Sequence, residues 1–165
     1  MNSLSIFLLS ILFGYIGFGL LARWYVMPWL TTVSRQRALS ALIVPHLFRY
    51  VGLAFLVPGV TTSALPSAFA QPVAYGDLAT VVLALAALIA LRSHRPFALL
   101  LVWLFNVVGT LDFLDAYFQG FSNRMAPGQM GATFFIPTVA VPALMVTHIL
   151  IFILLLRSSS APKEG

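Results

Sequence analysis

The stretch ALSALIVPHLFRYVGLAFLV, residues 38–57, decides how this chain is read. Its side chains are mostly apolar, and its length matches the about 20 residues that a helix needs to cross ~30 Å of hydrocarbon. Its middle nevertheless carries His46 and Arg49. Ionisable groups at that depth cost at least ~2.5–3.5 kcal/mol each, so they turn away from lipid and find partners. A spacing of three places both on one helix face. A spanning helix with a polar inward face implies further helices around it.

Four more apolar stretches supply them: residues 4–22, 78–91, 97–118 and 134–156. Each is longer than a typical strand, and none alternates apolar with polar as a barrel strand does. The expected fold is an all-α, polytopic transmembrane bundle of five spans. It forms one domain over residues 1–157, and residues 158–165 form a disordered tail. Composition agrees: 61% of the 165 residues are hydrophobic and 8% are charged, whereas soluble domains carry about a quarter charged. The third stretch, LATVVLALAALIAL, is the shortest and reaches spanning length only by drawing in residues from Ala74 onward. Pro58–Tyr75 reads as an uncharged loop in which SALPSAF forms a short surface helix capped by Ser63. The Gly-rich loop at 119–132 reads as flexible.

With five spans, Arg23, Arg35, Arg37, Arg92, Arg95, Arg157 and Lys163 share one side, and Arg124 alone lies in a loop on the other. The basic side is the cytoplasmic one, so the amino terminus lies outside and the carboxyl terminus inside. Trp24, Tyr25 and Trp29 then sit at the inner headgroup level, and Tyr117, Phe118 and Phe121 at the outer one. The expected location is a bacterial inner membrane. The +5 net charge follows this topology and gives no reason to expect a nucleic-acid partner.

Depth suggests partners for the buried cation. Arg49 lies mid-span, and Asp112 lies roughly 7 Å outward of the fourth span's centre at 1.5 Å per residue. An Arg49–Asp112 pair is expected, with Asp115 in support on the same face. Asn106 and His148 fall near the depth of His46 and complete a candidate ligand or ion site, with Thr138 as a further supporting group. Asn106 and Asp112 are about 120° apart around a straight helix, so joining one site asks for a distortion near Gly109. Pro45 and Pro142 break the ladder beside these groups. Ser10, Gly14 and Gly17 read as helix-packing positions, and His94 reads as a solvated loop residue.

Several chemistries are excluded. The one lysine, Lys163, lies in the tail, so there is no buried amine for a retinal Schiff base. The one glutamate, Glu164, also lies there, and there is no H-E-x-x-H or Walker motif. The absence of cysteine removes thiolate metal sites and disulfides. No catalytic residue, metal or cofactor is expected, and the reading leans away from an enzyme. The expected function is binding or conducting a proton, or a small anionic or protonatable solute, between spans two, four and five. One alternative is a redox protein, quinone-associated or holding haem b with His46 and His148 as axial ligands. Another is a non-catalytic accessory subunit of a larger membrane complex, or a homo-oligomer, with the lipid bilayer as partner in every case.

Overall fold

The computed structural model describes residues 1–63, 65–123 and 125–157. Among them are five helices long and apolar enough to cross a membrane, and no strand. They are α1 (Ser3–Leu30), α2 (Arg35–Leu56), α3 (Ser67–Arg92), α4 (Ala98–Ser122) and α5 (Ile136–Leu156). Their outer faces expose large apolar side chains, such as Phe13, Leu100 and Phe118. That surface suits hydrocarbon and not water. The tail at 158–165 and Arg124 lie outside the described residues.

Local sequence explains the helix shapes. Asn2 caps α1, its Oδ1 accepting from the Ser5 amide at 2.8 Å. Proline withholds the amide that the carbonyl four residues earlier needs. Just ahead of Pro28 and Pro142 the ladder widens to i+5: the Met27 amide donates to Ala22 and the Val141 amide to Ile136. Pro45 has the opposite effect. α2 is α-helical to Ile43 and then tightens into a 3₁₀ helix over Val44–Leu56. At three residues per turn, positions i and i+3 eclipse. His46, Arg49, Gly52 and Phe55 therefore stack in one line, and these four are the buried residues of the segment.

The third span differs most from expectation. It begins at Ser67 and not near residue 78, with Pro66 in the cap position, so Ser63 caps nothing. Pro72 lies inside the helix. Its missing hydrogen bond is offset by burial of Phe69, Ala70, Val73 and Ala74 around it. This early start brings Asp77 inside the bundle.

α3 packs most extensively, against α2 and α4, while α1 lies outside against α5. Gly14 makes that contact: a Cβ there would stand 2.6 Å from the Thr138 carbonyl oxygen and 3.1 Å from Pro142 Cγ. Gly17 faces open space and packs against nothing within 4 Å. At one end of the bundle, Arg35 Nη2 donates to the Leu155 carbonyl at 3.0 Å and Gln36 Nε2 donates to that of Leu91. The start of α2 thus lies beside the ends of α5 and α3, in the company of Arg92 and Arg157. His94 adopts a left-handed φ of 50° at the α3 terminus. It closes a Schellman-type cap in which the Arg95 amide reaches the Ala90 carbonyl at 3.0 Å.

At the other end, the loop expected to be flexible forms a 3₁₀ turn over Pro127–Phe134. It pairs with the loop between α2 and α3: the Thr62 amide donates to Gln129 at 3.2 Å and the Ala132 amide to Val60 at 2.9 Å. Gly131, at φ 55°, permits this approach, since a Cβ there would lie 2.4 Å from the Val60 oxygen.

Candidate functional site

Arg49 is the centre of the bundle. Its side chain is wholly enclosed, and each guanidinium nitrogen has a partner on another helix. Nε donates to Asp77 Oδ1 of α3 at 2.7 Å. Nη2 donates to Asp112 Oδ2 of α4. Nη1 donates to the Gly109 carbonyl at 3.1 Å and approaches His148 Nε2 of α5 at 3.4 Å. Phe113 covers the guanidinium face, with its ring centroid 3.6 Å from Cζ. One planar fork with five donors holds four helices in register, which a point charge such as lysine does not do.

Below Arg49 lies a neutral layer whose hydrogen bonds fix its protonation pattern. Asn106 Nδ2 donates to the His148 carbonyl at 3.2 Å, so Asn106 Oδ1 is the atom facing His148 Nδ1 at 2.7 Å. That oxygen only accepts, so His148 carries its proton on Nδ1 and presents the Nε2 lone pair to Arg49. Thr147 spends its hydroxyl proton on the Leu144 carbonyl at 2.7 Å. Its oxygen therefore accepts from His46 Nε2 at 2.8 Å. His46 Nδ1 is buried with no partner among the described residues.

Three glycines make this density possible. A Cβ on Gly52 would stand 1.9 Å from Asp77 Oδ2, and one on Gly76 would stand 1.7 Å from Asp112 Oδ1. A Cβ on Gly109 would lie 2.8 Å from both His148 and Thr80. Each polar side chain rests where a neighbouring helix has no side chain.

The residues expected to meet do so: His46, Arg49, Asn106, Asp112 and His148 form one connected cluster. α4 needs no distortion to achieve this and runs as one α-helix through Gly109. Gly109 lies between Asn106 and Asp112 in both height and angle, and Arg49 and His148 span the difference over its bare backbone. Two supporting residues stand apart. Asp115 is exposed and accepts from Gln119 on its own helix, because a further three residues carry it a turn along and about 60° around the axis. Thr138 is buried, and its hydroxyl donates to the Phe134 carbonyl at 2.8 Å, within its own turn of chain.

Sequence reasoning missed Asp77, which the early start of α3 carries to the depth of Arg49. The signal was the pair Gly76–Asp77 just ahead of an apolar run, between the expected loop, which ended at Tyr75, and the expected span, which began at Leu78. The rings of His46 and His148 pack with centroids 4.2 Å apart, and both Nε2 atoms are engaged by protein. That arrangement does not fit a haem iron held between them, which needs one nitrogen on each side of a porphyrin plane. No cluster of three or more metal-ligating residues occurs among the described residues.

The family model of a domain of unknown function, DUF8737, matches residues 6–156. The chain belongs to the DUF8737 family. The match takes in all five helices but for the first few residues of α1, and every residue of the cluster, so the Arg49 centre lies within the DUF8737 domain. No curated protein and no solved structure matches the chain.

A cavity reaches the DUF8737 cluster from the end of the bundle where the two loops pair. Asp77 and Asp112 lie on its wall among Phe7, Phe55, Phe69 and Phe121. On the far side of the cluster, apolar side chains fill the bundle, with Leu39, Ile43, Val102, Phe105 and Ile151 fully buried. The carboxylates of the cluster therefore face the end where the two loops pair. Of its two carboxylates, Asp112 is the more accessible, with 16% of its side chain exposed against 5% for Asp77.

Proposed function

We propose that this DUF8737 protein is a proton-binding protein of a bacterial inner membrane, with its amino terminus outside and its carboxyl terminus in the cytoplasm. The orientation is supported by the basic residues gathered at one end of the bundle. The function rests on one observation: two buried carboxylates share a single guanidinium. With both ionised, the cluster carries a net charge of −1 in surroundings that penalise charge heavily. One proton restores neutrality, and it belongs to the coupled pair and not to either residue alone. Asp112, the more exposed of the two, is the exchange point with the cavity. His148, held neutral with its lone pair toward Arg49, adds no charge. The cluster thus takes up and releases one proton toward the outside.

Infrared difference spectroscopy of the protein in nanodiscs tests this. The wild type is expected to show one protonated-carboxyl stretch that titrates with pH. Asp112→Asn leaves one carboxylate facing one guanidinium, and this band is expected to vanish. A wild type without a titrating band, or an Asp112→Asn variant that keeps it, refutes the proposal.

A further inference from the structure

The cavity above the cluster is more elaborate than proton access requires. It holds about 60 Å³, where a single water needs ~10–15 Å³ measured in the same way. Its walls are mostly apolar and partly aromatic, with Phe69, Phe121 and Tyr117 beside the end of α4 and the carboxylates of Asp77 and Asp112 at the Arg49 cluster. Asp77 is 3% exposed. Each carboxylate gives one oxygen to Arg49. The other oxygens, Asp77 Oδ2 and Asp112 Oδ1, accept no hydrogen bond among the described residues. Each of these oxygens rests against a bare helix backbone, Asp77 Oδ2 at Gly52 and Asp112 Oδ1 at Gly76, where no side chain stands between it and the cavity.

We infer that this cavity binds an amphiphilic ammonium ion, its cationic head donating to the free oxygens of Asp77 and Asp112 and its apolar tail lying along the aromatic side chains beside the end of α4. This rests on the proton reading, because the ammonium takes the place of the proton. Three observations choose this class of ligand. The excess negative charge selects a monocation and rejects an anion. The interior of about 60 Å³ admits a primary ammonium head and not a bulky body. The aromatic wall suits both a cation and an alkyl chain. The exchange balances: the protonated pair gives up one proton to the outer solution as one ammonium ion enters, and the net charge of the cluster with its occupant stays zero.

The probe is octylammonium, titrated by calorimetry into protein in nanodiscs, with empty discs as the blank and octanol as the uncharged control. One site per chain is expected, with one proton released per ion bound and no saturable binding of octanol. Asp112→Asn neutralises the cluster and is expected to weaken binding at least tenfold. Gly120→Leu provides a variant outside the charge cluster. A Cβ at Gly120 clears its nearest neighbour, Phe69 Cε2, at 3.9 Å, so the longer side chain extends into the cavity without disturbing the backbone. It is expected to weaken binding at least tenfold while keeping the titrating carboxyl band. No binding above empty discs, or undiminished binding in either variant, overturns the ammonium site. A titrating band without ammonium binding sinks this inference alone, whereas the absence of that band in the wild type sinks the proton reading beneath it.

Discussion

Gly76→Ala is expected to destabilise the wild type yet stabilise a chain in which Asp112 is also alanine. In the wild type the new Cβ would stand 1.7 Å from Asp112 Oδ1 and 2.7 Å from its Cγ. Contact at the usual separation is impossible unless the carboxylate moves by more than an ångström, which takes it off Arg49. Losing a charge-assisted hydrogen bond costs about 1.5–3 kcal/mol, and forcing a methyl into a filled core costs about 1–3 kcal/mol. Replacing glycine by alanine inside a helix returns about 1 kcal/mol. The net cost is about 1.5–5 kcal/mol, or a melting point lower by about 3–20 °C at ~2–4 °C per kcal/mol for a chain of this size. With Asp112→Ala the obstructing atoms are gone, and Arg49 keeps Asp77 as a balanced partner. Only the helix term then remains, so Gly76→Ala is expected to raise the midpoint by about 2–4 °C at the same conversion. The coupling between the two sites is the difference, about 2.5–6 kcal/mol, far beyond the ~0.3–0.5 kcal/mol typical of independent positions. Thermal unfolding of the four variants in one detergent, followed by tryptophan fluorescence, measures it; the chain has three tryptophans. Equal effects of Gly76→Ala in both backgrounds would refute the interlocking of Gly76 with Asp112.

Two further outcomes test the cluster. Arg49→Met leaves Asp77 and Asp112 facing each other without a cation, and is expected to cost about 3–5 kcal/mol; Arg49→Lys is not expected to restore stability, because one ammonium cannot reach both carboxylates and the Gly109 carbonyl together. Tryptophan-monitored melting of both variants checks this, and a lysine variant as stable as the wild type contradicts it. Gly109→Ala presses on His148 and Thr80 and is expected to lower the melting point, whereas Gly17→Ala meets nothing within 4 Å inside α1 and is expected to stabilise by about 1 kcal/mol.

Much of the site was legible because burial of charge is so costly. Arg49 in the middle of an apolar run had to face inward and had to find an acid, and Asp112 on the fourth span was at a suitable depth. The depths of His46, Asn106 and His148 followed from counting along antiparallel helices. Asp115 stands apart from Arg49 because spacing by three keeps a residue near a face without bringing it to the same point. Asp77 was lost for a different reason. Pro66 and Pro72 read locally as loop, and no local rule says that surrounding helices will hold a proline-containing turn helical.

The sequence by itself determined the solvent and the architecture: five apolar segments too long for strands, with too few charges to cover a water-facing surface, leave an α-helical membrane bundle as the outcome. It also determined that an arginine would be buried. Tertiary structure alone decided how that arginine is satisfied. The 3₁₀ twist of α2 aligns His46, Arg49, Gly52 and Phe55, and close helix approach at Gly52, Gly76 and Gly109 lets two carboxylates and an imidazole enter. The count of charges around Arg49 follows from this, and it cannot be read from any one segment because each acid comes from a different helix. The physical reason is that hydrophobic length is a local property, whereas electroneutrality is a property of everything packed within a few ångströms.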